Sequence, residues 1–146
     1  MAAGADGLHV GQDDLPAEVT RRLLGPGRIL GVSTHDREQA EAARLAGADY
    51  IGFGPLFPTG TKETGYTARG LEGLREVRAG IRLPILAIGG ITLEAVAEVV
   101  AAGATAPAII SAVVAAPDIT AAAAGFCMRV VKAKGILGSD QSAGMA

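Results

Sequence analysis

The sequence predicts an α/β domain of about five repeating β/α units, with parallel strands buried on both faces. Three observations predict it. Strand-length apolar runs alternate with helix-period segments along most of the chain. Most of those runs are continuously apolar instead of alternating, as expected of parallel strands covered on both sides. Three phrases also echo one another: Ala3-Gly-Ala-Asp6, Ala46-Gly-Ala-Asp49 and Ala102-Gly-Ala-Thr105. In each, a glycine can close a helix just before an apolar strand, so the helix-to-strand corner itself repeats.

The elements follow in order. The first strand is Leu8-His-Val10. Asp14 can cap a helix with Pro16 in its first turn, a stripe of Leu15, Val19 and Leu23, and Gly25 after its end. The second strand is Arg28 to Val32, and Asp36 with Gln39 forms a capping box for a helix running to Leu45. Tyr50 to Gly54 is the third strand, and Leu71, Leu74 and Val77 mark the third helix. Pro84 to Ile88 is the fourth strand; Thr92 caps a helix carrying Leu93, Val96, Val99 and Val100. The fifth strand spans Ala106 to Ala112, with Pro107 near its start because proline cannot donate to a central ladder. Pro117 and Asp118 open the last helix, with Arg129, Lys132 and Lys134 at its negative end. One domain, residues 1–134, is expected, followed by a polar, glycine-bearing tail at 135–146 that is expected to be disordered.

A chain of 146 residues suits one domain with a sizeable core. A closed eight-fold barrel typically needs about 250 residues and seldom fewer than about 200. That leaves a small open sheet or most of the back half of a barrel. The start of a strand as early as Leu8 favours truncation. With 13 basic and 15 acidic residues the net charge is −2, so no basic field recommends nucleic acid as a partner. The only cysteine, Cys127, excludes an intramolecular disulfide and a multi-cysteine zinc site, and its place late in the chain favours a structural role. The first residues lack the basic and apolar regions of a secretion signal. The alanine-rich stretch from Ala101 to Phe126 is broken by Pro107, Pro117 and Asp118 and is too weakly apolar for a membrane span. A soluble cytoplasmic protein is expected.

In parallel α/β proteins the chemistry gathers at the C-terminal ends of strands. Every suggestive cluster here lies at such an end. Thr59, Gly60, Thr61 and Lys62 combine hydroxyls, a bare backbone and an ammonium, which suits an anion cradle or else a polar surface loop. Asp13 and Asp14 could offer hard oxygen ligands to Mg²⁺, although spacing alone favours Asp14 as a helix cap. Ser33 either donates to an anionic ligand or terminates a strand. His9 lies within an apolar strand and reads as a packed core residue. His35 is on the rim, with no partner for nucleophilic catalysis nearby in sequence and no triad signature. Gly89-Gly90 ahead of Thr92 offers exposed amides at a helix start, a recurrent phosphate seat, and Ser111 adds a hydroxyl from the neighbouring strand.

Taken together, these motifs resemble the thiamine-phosphate synthase family. The pieces that carry the resemblance are Ala5-Asp-Gly-Leu-His-Val-Gly-Gln-Asp-Asp-Leu-Pro16, Gly31-Val-Ser-Thr-His35, the run from Ala48 to Lys62, Pro84-Ile-Leu-Ala-Ile-Gly-Gly-Ile91 and Ile109-Ile-Ser-Ala112. The family is a (β/α)₈ TIM barrel that joins a pyrimidine diphosphate to a thiazole phosphate, giving thiamine phosphate and diphosphate. The resemblance implies an incomplete barrel lacking the first three strands. It also implies that Asp14 is one of two Mg²⁺ ligands and that Ser33 and Lys62 contact the pyrimidine diphosphate as the catalytic pair. Thr59, Gly60 and Thr61, with Gly90, Ile110 and Ser111, become the seat of the thiazole phosphate. Such a reaction, in which a carbon–oxygen bond ionises and the thiazole nitrogen captures the cation, asks mainly for leaving-group neutralisation and alignment. Two departures stand out. The family's Gln-x-Arg-Glu-Lys-like strand and Asn-Asp pair are absent, and the last corner reads Ala102-Gly-Ala-Thr-Ala106 followed by Pro107. Two alternatives accompany this reading. One is a thiazole tautomerase-like sibling, against which the Thr59–Lys62 loop and Asp14 argue. The other is a non-catalytic phosphate-binding fragment completed by a second polypeptide. Two apolar sheet edges would invite self-association or a complementing chain.

Overall fold

Five apolar runs become five parallel strands because each is followed by a helix long enough to carry the chain back across the sheet. The computed structural model describes residues 4–60 and 65–142. Its elements are β1 (Gly7–Val10), α1 (Ala17–Leu24), β2 (Ile29–Thr34), α2 (Arg37–Leu45), β3 (Tyr50–Phe53), α3 (Gly70–Gly80), β4 (Ile85–Ile88), α4 (Val96–Ala101), β5 (Ala106–Ala108), α5 (Ser111–Val114) and α6 (Ile119–Ser142). The strand order is β1-β2-β3-β4-β5, every pair parallel. A doubly wound sheet reverses its order at a switch point. This one does not, so its winding is that of a barrel wall.

One face of the sheet is covered by helices and holds the core. Leu30, Val32, Ile51, Phe53, Ile85 and Ala87 from the strands pack with Ala40, Ala43, Leu74, Val77, Val96 and Val99 from the helices, all buried. Side chains alternate along a strand, so His9, Gly31, Ser33, Tyr50, Gly52 and Ile88 belong to the opposite face. That face is more open: Ser33, Tyr50 and Ile88 are half-buried and His9 is exposed. The expectation of strands buried on both faces therefore holds for the helix side only.

The repeated corner has a physical role. Gly47 and Gly103 both take positive φ (84° and 109°) and close α2 and α4 with the amide bonds Ala48 N to Ala43 O and Ala104 N to Val99 O. The fourth residue then accepts a backbone N–H from the preceding strand: Asp49 Oδ2 from Leu30 at 2.7 Å, and Thr105 Oγ1 from Ile85 at 3.0 Å. Thr105, the departure from aspartate, performs the same hydrogen bond. An arginine from the helix before lies against each corner glycine, Arg21 on Gly47 and Arg78 on Gly103.

Several boundaries differ from the sequence reading. Asp14 does not cap α1: Pro16 stands at the N-cap and the helix starts at Ala17, three residues beyond Asp14. The buried face of α1 is Thr20 and Leu24, whereas Leu15 and Leu23 are exposed. Thr20 can face the core because its hydroxyl donates to the carbonyls of Leu15 and Pro16. Thr92 does not cap α4, which begins at Val96 after an intervening turn; its hydroxyl bonds the Glu94 carboxylate instead. Asp36 does cap α2, accepting the Gln39 amide at 2.8 Å, and Asp118 caps α6 through the Ala121 amide at 2.9 Å. β5 stops at Ala108, not Ala112, because its partner β4 ends at Ile88 and offers no further ladder. Pro107 sits mid-strand, which is tolerated because β5 is an edge strand whose other side has no partner among the described residues.

The last helix also runs farther than expected. α6 continues through Gly135 to Ser142, so Arg129, Lys132 and Lys134 lie within the helix and not at its end. A single glycine costs a helix about 1 kcal/mol and does not by itself end it. Residues 135–142 are therefore helical, and residues 143–146 lie outside the described part. Cys127 is exposed on α6, which does not support the structural role expected of it. Among the described residues no helix is long and apolar enough to cross a membrane.

Candidate functional site

The loop leaving β3 is held against the end of β4 by two extended-chain bonds, Leu56 N to Ile88 O at 2.8 Å and Phe57 N to Gly89 O at 3.2 Å. Close contact requires glycines there. A Cβ on Gly89 would lie 2.6 Å from Pro55 Cβ, and one on Gly90 would lie 2.6 Å from the Pro58 carbonyl oxygen. Both also take positive φ, 89° and 66°, which L side chains disfavour. The peptide bond between Gly54 and Pro55 is cis.

This stitching leaves a cavity of about 220 Å³ at the strand ends, with His35, Pro55, Thr59, Gly89, Gly90, Ile110 and Ser111 on its walls. A groove continues from it past Gly60 and Thr92. So Thr59, Gly60, Gly90, Ile110 and Ser111, drawn from three separate loops, meet at one place. Ser111 comes from the first residue of α5 and not from a strand. The exposed amides were expected at the start of a helix, but α4 begins at Val96, so Gly90 contributes bare backbone in a turn. Thr61 and Lys62 lie outside the described residues.

His35 is buried on the wall of that cavity. Its Nδ1 lies 2.5 Å from the Gly54 carbonyl oxygen, and its ring stacks on Tyr66 with centroids 3.5 Å apart. A carbonyl can only accept, so Nδ1 carries the proton. The capping box of α2 fixes the backbone here, since the His35 amide donates to Gln39 Oε1 at 2.8 Å.

Asp14 and Ser33 belong to the β1–β2 side of the same rim. The Asp14 carboxylate accepts the Gly11 amide at 2.7 Å, and Gln12 Nε2 donates to the Ser33 carbonyl at 2.6 Å. Ser33 Oγ lies 2.9 Å from His9 Nε2, and His9 Nδ1 lies 3.0 Å from the Tyr50 hydroxyl. His9 is thus no packed core residue; it belongs to the open face. Crowding by its neighbours still desolvates the ring enough to lower its pKa, against an opposing pull from the Asp14 charge. The sequence reading did not single out Tyr50 or Tyr66. For Tyr50 the signal was strand parity: it falls on the face of His9, Gly31 and Ser33 once the parallel register is known. Tyr66 sits in a loop, where no periodicity points to it. Among the described residues no three carboxylate, histidine or cysteine groups cluster as a metal site.

Comparison with known proteins gives one consistent result. A family model described as thiamine monophosphate synthase matches residues 1–113. The chain is 50% identical over 135 residues to the thiamine-phosphate synthase of Moorella thermoacetica, covering 92% of this chain and 64% of that protein. It is 48% identical over 134 residues to that of Methanoregula boonei, covering 92% of this chain and 62% of the relative. The chain thus spans slightly less than two thirds of the length of these relatives. Among solved structures, the thiamine phosphate pyrophosphorylase of Pyrococcus furiosus superposes with a TM-score of 0.82 at 37% identity, over 90% of this chain and 62% of that one. The five-stranded parallel sheet is therefore similar to a TIM-barrel-like thiamine-phosphate synthase fold, and the family match includes the β2 to β5 strand ends on which the cavity is built. This chain belongs to the thiamine monophosphate synthase family.

Proposed function

We propose that this chain performs thiamine-phosphate synthesis, joining 4-amino-2-methyl-5-(diphosphooxymethyl)pyrimidine to a thiazole ethyl phosphate with release of diphosphate. One observation carries the reading: Thr59, Gly60, Gly90, Ile110 and Ser111 converge on one cavity from the loops after β3, β4 and β5. Hydroxyls and bare backbone around a small cavity suit a phosphate monoester, and (β/α)₈-barrel enzymes often hold phosphate at the loops after their last strands. In the reaction the pyrimidine methylene–oxygen bond breaks, diphosphate leaves with the electron pair, and the thiazole nitrogen bonds to the methylene carbon. No protein nucleophile is required. The residues' task is to hold the thiazole phosphate in line and to stabilise the departing diphosphate, to which Ser33 and Lys62 are assigned.

Mg²⁺ fits the donor set. Asp14 presents an exposed carboxylate at the end of β1, oriented by the Gly11 amide, with Asp13 beside it. Mg²⁺ usually takes one or two carboxylates and keeps water and phosphate oxygens for the rest, so a three-residue cluster is not needed. When bound it would neutralise charge on the diphosphate. A biosynthetic role with free phosphorylated substrates goes with a cytoplasmic location. The outer edges of β1 and β5, unpaired among the described residues, support self-association or pairing with a complementing chain.

The test is an assay of diphosphate release and thiamine phosphate formation by the 146-residue chain with both substrates and Mg²⁺. Turnover that falls about 10-fold or more in Ser111→Ala, through a raised KM for the thiazole phosphate, supports the proposal. Thiazole phosphate binding without any turnover would leave the non-catalytic phosphate-binding reading in its place.

A further inference from the structure

His9 and Tyr50 stand on strands that are not neighbours, since β2 runs between β1 and β3. Their rings meet across it only because the residue between them is Gly31. In the parallel register His9 and Tyr50 are both lateral partners of Gly31. A Cβ there would lie 2.2 Å from Tyr50 Cζ and 2.4 Å from His9 Nδ1. Gly52, the lateral partner of Ser33, lies beside the far edge of the His9 ring at ordinary contact distance, so only Gly31 is required to be bare. The sheet thereby builds a continuous hydrogen-bonded row: Tyr50 Oη, His9 Nδ1 at 3.0 Å, then His9 Nε2 and Ser33 Oγ at 2.9 Å. The Gln12 amide, bonded to the Ser33 carbonyl at 2.6 Å, holds the backbone at its end.

A neutral imidazole gives one proton to this row and takes one. If Nδ1 carried the proton, it would donate to Tyr50 and the Ser33 hydroxyl would spend its hydrogen on Nε2. If Nε2 carries it, Tyr50 donates to Nδ1, Nε2 donates to Ser33, and the Ser33 O–H is left to point at a ligand. The second arrangement is favoured chemically, because a phenol (pKa about 10) is a much stronger hydrogen-bond donor than an alcohol and a poorer acceptor. Desolvation also keeps the ring neutral.

We propose that Tyr50 and His9 are positioning residues that lock the Ser33 hydroxyl as a donor, in the order Tyr50 O–H to His9 Nδ1 and His9 Nε2–H to Ser33 Oγ. The assignment of the donated hydrogen to the pyrimidine diphosphate rests on the function proposed above; the direction of the row does not. Tyr50 would act on substrate only through His9 and Ser33, without touching it.

The chain has two histidines, and the second supplies an internal standard. His35 must carry its proton on Nδ1, because Gly54 O can only accept. Long-range proton–nitrogen correlation spectra of the ¹⁵N-histidine-labelled chain, assigned with His9→Gln, should show opposite tautomers: Nδ1–H for His35 and Nε2–H for His9. Tyr50→Phe keeps the ring over Gly31 and should move His9 toward a tautomer mixture. It should also weaken pyrimidine diphosphate binding about 5- to 10-fold, the worth of one hydrogen bond, yet have no further effect in a Ser33→Ala background. An Nδ1–H tautomer at His9 in the unaltered chain overturns the proposal, as does an undiminished Tyr50→Phe effect without Ser33. If the unaltered chain binds no pyrimidine diphosphate, the synthase reading fails on its own. The tautomer then decides the direction of the row alone, Nε2–H upholding it and Nδ1–H overturning it.

Discussion

Asp49 shows how much one corner residue can organise. Its carboxylate accepts the Leu30 amide and also meets Arg21 Nη2 at 2.6 Å, while the same arginine bonds the carbonyls of Gly25, Arg28 and Gly47. The Asp49 carboxyl is held below its ordinary value chiefly by the Leu30 amide, then by the Arg21 hydrogen bond and charge, with desolvation opposing. A lowered folded-state pKa means that the unfolded chain binds the proton first. The stability Asp49 contributes is therefore fully present above the ordinary carboxyl value and is lost as pH falls through the folded value. Because the carboxylate is half exposed, solvent screening limits the effect to about 1 kcal/mol. Asp49→Asn should lower the urea midpoint at neutral pH and flatten its decline between about pH 5 and about pH 2. An unchanged acid limb in the variant would show that the titration belongs to another group. Asp49 was visible in sequence as part of a repeated phrase. Its partner amide on the preceding strand was not, since nothing local connects positions 49 and 30.

At the scale of elements, the decisive unit is the β3 loop seated on the turn after β4. Gly90 is fixed there twice, by its positive φ and by the Phe57 and Pro58 carbonyls against it. Gly90→Ala should cost about 1–3 kcal/mol of stability from backbone strain. It should also push the Thr59 loop away from the cavity, so the thiazole phosphate binding proposed above should weaken more than stability does. Comparing a urea melt with a ligand titration separates the two, and equal binding by the variant would contradict the loop's placement. Helix starts were the least legible elements. Asp14 and Thr92 have good capping side chains, yet each finds another partner, the Gly11 amide or the Glu94 carboxylate. Capping propensity names candidates, and the path of the incoming loop selects among them.

For the molecule as a whole, the sheet advances in one direction and ends in two outer edges, β1 and β5. Edge strands with free amides pair readily with other strands, and proline blunts them. Pro107 stands in the middle of the three-residue β5. Pro107→Val should restore an outward-facing strand and raise self-association of the 146-residue chain, read as a heavier species in sedimentation velocity. The same sedimentation profile for both chains would mean that β5 is not an association edge.

By itself the sequence determined the β/α alternation, the helix-to-strand corners, the family resemblance and the loops that carry polar groups at strand ends. These are local or short-range properties: hydrophobic period, glycine at positive φ, and residue type beside a strand terminus. Tertiary structure alone decided which sheet face the helices cover, which pairs Thr59, Gly90 and Ser111 in one cavity, and which sets His9 and Tyr50 together across Gly31. Those outcomes depend on strand register, which pairs Gly31 with Tyr50 across two strands and so brings together His9 and Tyr50, 41 positions apart in sequence. A run of apolar residues predicts that a strand exists, and only its neighbours determine what it faces.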